Sequence, residues 1–385
     1  MKAHSPISAA MAFAVLAGWG ATRPAEIPFE KHMLDGGANE TAAIADVNGD
    51  GRPDIISGEN WFEAPRWTRR PFRQIPFFNP RTDNYIDNFS DLAVDVNGDG
   101  HTDVVSCSWF QKKLAWWQNP GRGRGVWREH LIESNYNTEF CFLVDLDNDG
   151  KAREILPQYG GKAAPLAWYE LQRSGWARHT VLPAGHGHGI GAGDINGDGR
   201  ADIVTPRGWL EAPADPRSGE WKHHAEFELV SPGFIHVIDI NGDGRNDLLS
   251  GAAHDYGIYW LEQAGGGKWN KTVIDETWSQ VHATTLVDLN GDGRLDVLAG
   301  KRYMAHDRDP GARDPLGIYW YEFRKSEDGK RVEWIRHIID YSSRAGAGMQ
   351  LPVADLDGDG DLDFVAPGKS GLFLFENLTK KGPRK

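Results

Sequence analysis

Asp46-Val47-Asn48-Gly49-Asp50-Gly51-Arg52-Pro53-Asp54 is the first of seven copies of one acidic motif, and the others begin at Asp95, Asp145, Asp194, Asp239, Asp288 and Asp355. Their first residues lie 49, 50, 49, 45, 49 and 67 positions apart, so the chain repeats one supersecondary unit of about 50 residues. The pattern D-x-[ND]-x-D-G-x-x-D sets oxygen-bearing side chains at positions 1, 3, 5 and 9 around a glycine at 6. Alternating carboxylates and amides on a tight turn suit a hard cation that takes about 6–8 oxygens, and the glycine lets the turn wrap them around it. Calcium is the expected occupant, in up to seven loops. Its ligands would be Asp46, Asn48, Asp50 and Asp54; Asp95, Asn97, Asp99 and Asp103; Asp145, Asp147 and Asp149; Asp194, Asn196, Asp198 and Asp202; Asp239, Asn241, Asp243 and Asp247; Asp288, Asn290, Asp292 and Asp296; and Asp355, Asp357, Asp359 and Asp363. The third loop departs from the pattern. Arg153 stands at its position 9 with Glu154 one place later, so this loop is expected to bind poorly or to use Glu154. An EF-hand would need a Glu at position 12 and a helix on each side. Position 12 of the first copy is Ser57, and the flanks read as strands. The competing reading is seven Asx-rich hairpin turns without metal, because Asn-Gly and Asp-Gly favour such turns by themselves.

Between the loops each unit reads as four short strands. An apolar run leads into the loop (Phe142-Leu143-Val144) and another leaves it (Asp54-Ile55-Ile56-Ser57); a third carries aromatics before an acid or amide (Trp61-Phe62-Glu63, Trp116-Trp117-Gln118, Trp168-Tyr169-Glu170); the fourth opens on Trp (Trp127 to Ile132). Four strands per 40–50 residues without helical periodicity is the pattern of a β-propeller blade. After Phe373-Leu374-Phe375-Glu376 the last unit lacks its fourth strand, while Phe29-Glu30-Lys31-His32-Met33-Leu34 matches Trp127-Arg128-Glu129-His130-Leu131-Ile132 position by position. The expected fold is therefore all-β: a seven-bladed propeller of four-stranded blades, closed by the N-terminal strand (29–34) completing the last blade, which hides both sheet edges.

The acidic loops in this setting resemble the FG-GAP/VCBS repeats, the calcium-loop propellers also seen in integrin α chains, over essentially all of residues 26–385. That resemblance implies the fold and the calcium; the fold itself hosts adhesion modules, lectins and lyases alike. A narrower resemblance, carried by His186-Gly187-His188-Gly189-Ile190-Gly191-Ala192-Gly193-Asp194 and Gly208-Trp209-Leu210-Glu211-Ala212-Pro213, is to the propeller domain of the aldos-2-ulose dehydratases. It implies metal-assisted elimination of water from keto-sugars.

Lys2, the apolar stretch from Ile7 to Ala17 and the small residues Gly18, Gly20 and Ala21 resemble a secretory signal peptide within residues 1–25, too short to span a membrane. The expected location is secreted or periplasmic. The formal charge of -13 is balanced against 23 Asp residues in the seven loops, so with one divalent ion per loop the protein is close to neutral. No basic stripe suggests nucleic acid. Cys107 and Cys141 are too few for a disulfide framework; they pair after export or remain two buried thiols.

In a four-stranded meander the calcium loops share one face. The residue six places before each first Asp lies roughly 20 Å away along the strand, at the opposite mouth near the axis. These residues are Glu40, Phe89, Glu139, His188, Gly233, His282 and Met349. Imidazole with carboxylate suits one zinc or manganese ion, with candidate ligands His186, His188, His236, His282 and Glu139; a hydrogen-bonded polar channel lining is the alternative. Turns between second and third strands form the rim of that face. Among them His254, His306 and Tyr303 are candidates for proton transfer, and Arg207 and Lys301 for holding an anionic oxygen. The sixth unit carries a long polar insertion between Gly300 and Ile318, and Trp109 is a candidate for stacking on a sugar ring. Two functions follow: a metal-assisted lyase or dehydratase acting on a keto-sugar or sugar acid, or a non-catalytic propeller that binds carbohydrate or protein and holds only calcium.

Overall fold

The computed structural model describes residues 26–380 except 80–82, 84, 162, 174, 186, 304–305 and 328–330; the expected signal peptide lies outside the described residues. Among these the chain forms 28 strands and no helix, arranged as seven antiparallel four-stranded sheets. In six sheets the spatial order follows the chain. Blade 3, for example, runs Thr138–Val144, Glu154–Tyr159, Leu166–Gln172 and Gly175–Leu182 from the axis outward. The seventh blade is completed by Phe29–Asp35, antiparallel to Gly371–Asn377 with Phe29 opposite Asn377 and Met33 opposite Phe373. The ring closes as the matching of residues 29–34 to 127–132 implies.

Apolar packing between blades holds the ring. Trp61, Trp168 and Trp320 are fully buried third-strand residues, each of the kind whose truncation to Ala costs about 3–5 kcal/mol. Four third strands, two of them among these, also carry a cross-strand clasp. His130, His179, His224 and His337 sit directly opposite Trp116, Trp168, Trp209 and Trp320, with ring centroids 3.9–4.3 Å apart. Their Nε2 atoms face the acid or amide two residues beyond the Trp: Gln118 at 3.1 Å, Glu170 at 2.9 Å, Glu211 at 2.7 Å and Glu322 at 3.7 Å. These histidines are accounted for by the repeat, which separates them from those on the axis.

The acidic loops share one geometry. Asp46 accepts the backbone N–H groups of Gly49, Asp50 and Gly51, and Asp54 accepts those of Val47 and Ala64. Gly49 and Gly51 have φ of 74° and 85° with nothing within 4 Å of a added Cβ, so the requirement is conformational, not steric. Loop 3 has Asn148 at the equivalent of Gly49, with φ 59°, a left-handed conformation Asn tolerates. There Glu154 takes over the position-9 role, accepting the Leu146 N–H at 3.2 Å, while Arg153 pairs with Asp149.

Candidate metal and acid/base centre

Seven backbones converge at the mouth opposite the acidic loops, and the space between them is filled by charge. Glu40 and Glu139 are 1% and 5% exposed and His282 is fully buried. Their burial is tolerable only because partners arrive from the turns. Arg302, at the end of the second strand of blade 6, places Nε 2.9 Å from Glu40 Oε2 and Nη1 3.3 Å from Glu139 Oε1. Lys369, in the blade 7 turn, lies 3.4 Å from Glu40 Oε1. The two cations meet the two carboxylates, and Glu139 also faces the histidines.

Three of them surround Glu139. His188 Nε2 is 3.1 Å from Glu139 Oε2, His282 Nε2 is 3.9 Å from Glu139 Oε1, and His254 Nε2 is 3.0 Å from His188 Nε2. One ligand atom from each of Glu139, His188, His254 and His282 falls within 4.8 Å of the other three. The outward nitrogens decide the tautomers. His188 Nδ1 lies 2.9 Å from the Pro232 carbonyl and His282 Nδ1 3.5 Å from that of Gln280; a carbonyl only accepts, so both Nδ1 atoms carry the proton and both Nε2 lone pairs point inward. His254 Nδ1 lies 3.0 Å from Asp309 Oδ2. With Nδ1 protonated, a neutral His188 turns its Nε2 lone pair onto the Glu139 carboxylate 3.1 Å away. The centre therefore needs one more positive charge, supplied by a proton on His188 or by a metal ion among the four ligands. A proton on His188 leaves His282 Nε2 buried without a hydrogen-bond partner; a metal ion would engage it.

Electrostatics follow this geometry. Burial works to raise the Glu139 carboxyl, but His188 and Arg302 outweigh it and hold it at about 2. Burial would lower His188, and Glu139 raises it. Burial, reinforced by His188, pushes His254 down to about 3, and burial lowers His306 as well. His254 and His306 are thus neutral near pH 7.

The glycine-rich run around His188 is explained by close approach. Gly189 has φ 96°, and a Cβ there would lie 2.3 Å from the Pro232 carbonyl oxygen, the group that fixes the His188 tautomer. A side chain at 189 would push apart the contact that orients His188.

Of the candidate metal ligands read from sequence, Glu139, His188 and His282 come together. His236 does not join them: its Nε2 is 2.8 Å from Thr284 Oγ1 and its ring stacks on Phe234. His186 lies outside the described residues. His254, read as a proton carrier, lies among these candidate ligands. His306 stands one ring farther out, its centroid 4.2 Å from that of His254 and its Nδ1 hydrogen-bonded to the Tyr85 hydroxyl. Tyr303 is 37% exposed and its carbonyl accepts from Lys369 at 3.2 Å. Arg207 is exposed on the blade 4 turn, its carbonyl facing His223. Trp109 is half-buried, its ring covering Gly160.

Lys301 points away from the axis. Its buried ammonium, lowered to about 8 by burial, donates to Ser279 Oγ at 2.8 Å and to the Gly311 carbonyl at 2.6 Å. It thereby ties the insertion carrying His306 and Asp309 to blade 6. Lys301→Met leaves those acceptors unpaired and should cost about 1–3 kcal/mol; hydrogen exchange should show lost protection at residues 306–316 with the acidic-loop face unchanged.

Sequence reading did not single out Tyr85 or Asp309. Tyr85 comes from the connection between Thr68–Pro71 and Ser90–Val94. That connection is long, but the four-residue outer strand of blade 1 keeps the loop-to-loop spacing at 49, so the unit looked ordinary. Asp309 was one acid among several in the sixth insertion, distinguished only by its contact with His254.

The family model for FG-GAP-like repeats matches residues 95–152 and 239–299; the chain contains such repeats. No match was found among curated proteins. Among solved structures, similarity extends to BBS1N crystallised with ARL6DN (TM-score 0.55, 9% identity, 94% of this chain and 100% of that one). Virginiamycin B lyase from Staphylococcus aureus gives TM-score 0.51 at 10% identity over 91% of this chain and 99% of that one. An Agrocybe aegerita lectin described as recognising non-reducing terminal N-acetylglucosamine gives TM-score 0.46 at 17% identity over 77% and 80%. At these identities the likeness concerns the fold alone. No helix among the described residues is long and apolar enough to cross a membrane.

Proposed function

We propose that the protein is an exported, calcium-stabilised, metal-assisted lyase of the dehydratase type, acting on a keto-sugar or sugar acid at the centre formed by Glu139, His188, His254 and His282. The observation that carries this reading is the convergence of three imidazole Nε2 atoms and one carboxylate, with His282 Nε2 buried and unpartnered. Three histidines and a carboxylate suit zinc or manganese, and such an ion supplies Lewis acidity toward a carbonyl or carboxylate oxygen. The surrounding residues fit elimination. His306, neutral at pH 7, is the candidate base for the proton α to the carbonyl. Tyr85, whose hydroxyl is kept protonated by burial and meets His306, is the candidate acid for the departing hydroxyl. The bond to the α-hydrogen breaks, a carbon–carbon double bond forms, and hydroxide leaves as water with the proton from Tyr85. His254 would act here as a ligand, with Asp309 Oδ2 3.0 Å from its Nδ1, and not as the base.

Elemental analysis of untagged protein purified without chelator is the direct test. The expected result is about one zinc or manganese per chain besides calcium, with keto-sugars converted to products showing enone absorbance. Calcium alone, with no conversion, would overturn the lyase reading. It would favour the non-catalytic binding propeller, a reading supported by the deep burial of Glu139 and His282, which leaves His188, His254 and His306 to face a ligand.

A further inference from the structure

Beside the centre, on the same face, the connection between blades 1 and 2 and the turn of blade 2 enclose a cavity of about 550 Å³. Its walls are Phe77, Tyr85 and Phe110, with Asp83, Asp87 and Gln111 at the edges. Phe77 is 88% exposed and Phe110 58% exposed, so two aromatic rings stand in water beside a concave surface, where neither contributes to a core. The cavity is held in shape: Asp87 accepts the N–H groups of Trp109, Phe110 and Gln111 at 2.8, 2.9 and 3.0 Å, and Tyr85 is wedged between Lys369 and Phe110. Tyr85 is also its common wall with the candidate centre. From Tyr85 two ring-to-ring steps of 5.6 and 4.2 Å lead through His306 to His254.

We propose that this cavity is a carbohydrate subsite that stacks one sugar ring, so that the preferred ligand is an oligosaccharide whose neighbouring unit reaches His306 and His188. Aromatic faces cover the apolar face of a pyranose while the Asp83 carboxylate and the Gln111 carboxamide at the edge take its hydroxyls. A lipid or an apolar peptide would leave the Asp83 and Gln111 edge facing apolar surface; a free monosaccharide would fill either the cavity or the centre and not both. The placement of the second unit rests on the proposed centre; the stacking subsite does not.

Saturation-transfer NMR with a panel of neutral and uronic acid trisaccharides separates the two. At least one trisaccharide should receive transfer from wild-type protein, and H188A/H282A should retain it. F77A/F110A, which alters two exposed rings and should leave the melting temperature unchanged, should bind that trisaccharide about tenfold more weakly or worse while keeping its metal content. Undiminished binding by F77A/F110A, or no transfer from wild type to any panel member, would overturn the subsite. Loss of binding in H188A/H282A with the subsite intact would instead place the recognised unit at the centre and refute the stacking role. Absence of transition metal with binding retained would sink the lyase reading and leave the subsite standing.

Discussion

Replacing His188 and His282 together with alanine should empty the centre of transition metal, while His236→Ala leaves the content unchanged. His236 is engaged with Thr284 and offers the centre nothing. The double variant keeps only Glu139 and His254, and two ligands do not hold zinc or manganese at ordinary free-metal levels. Activity on whichever keto-sugar is turned over should fall by on the order of 10²–10³ or more, as when a main electrostatic stabiliser is lost. Asp309→Asn is the finer instrument. It keeps the shape but weakens the partner at His254 Nδ1, and should lower metal affinity by about 10–100-fold. A merely structural Asp309 would shift the melting curve and leave the metal titration untouched. Metal occupancy should also decline with acidification, because the positive charge that the centre requires can come from a proton on His188, and His188 is the group Glu139 raises. A titration followed by elemental analysis, showing occupancy independent of pH from 7 to 5, would speak against these ligands.

The blades were legible because their information is local and repeated. Each acidic loop, each third-strand aromatic and each opening Trp recurs at one position of the unit, and the match between residues 29–34 and 127–132 exposes the closure that Phe29–Asp35 makes with Gly371–Asn377. The axis was legible only through that periodicity. Glu139, His188 and His282 hold one common position per blade, so counting back from the loops finds them. His254, Arg302 and Lys369 enter from turns whose reach no period dictates; the side chain that reaches the axis from Lys301-Arg302 is the arginine, because strand alternation sends its neighbour to the opposite side. Tyr85 and Asp309 depend on how two long connections fold over the mouth, and neither has an equivalent in the other units. The clasp histidines carry the complementary lesson: His130, His179, His224 and His337 look like metal ligands in composition and are explained by the Trp opposite each.

Chelating calcium should lower the melting temperature sharply, and by more at pH 7.5 than at pH 5. The position-9 carboxyls carry this prediction. Burial raises Asp54, Asp103, Asp202, Asp247 and Asp363 to about 6, against the backbone N–H groups they accept, and raises Asp296 and Glu154 to about 7. Unfolded, such groups titrate near about 4. Between pH 4 and 7 the metal-free native state therefore binds more protons than the unfolded chain, and its stability falls as pH rises through that window. Below it the carboxyls are protonated in both states and the cost vanishes; above it they are ionised in both and the cost is complete. Calcium takes the ionised form only, using oxygen lone pairs that the amide hydrogen bonds leave open, so its stabilisation grows over the same interval in which the metal-free fold weakens. The difference between melting temperatures with calcium and with chelator should be largest above pH 7 and shrink toward pH 5, while titrations elsewhere cancel between the two curves. Replacing Asp54 by Asn should reduce that difference by removing one charged ligand, and it should also lower both melting temperatures, because the carboxamide keeps an acceptor for only one of the Val47 and Ala64 N–H groups. Seven turns satisfied by their own hydrogen bonds would instead give one melting curve in calcium and in chelator at every pH, and the loops would then be structural turns with no ion to hold.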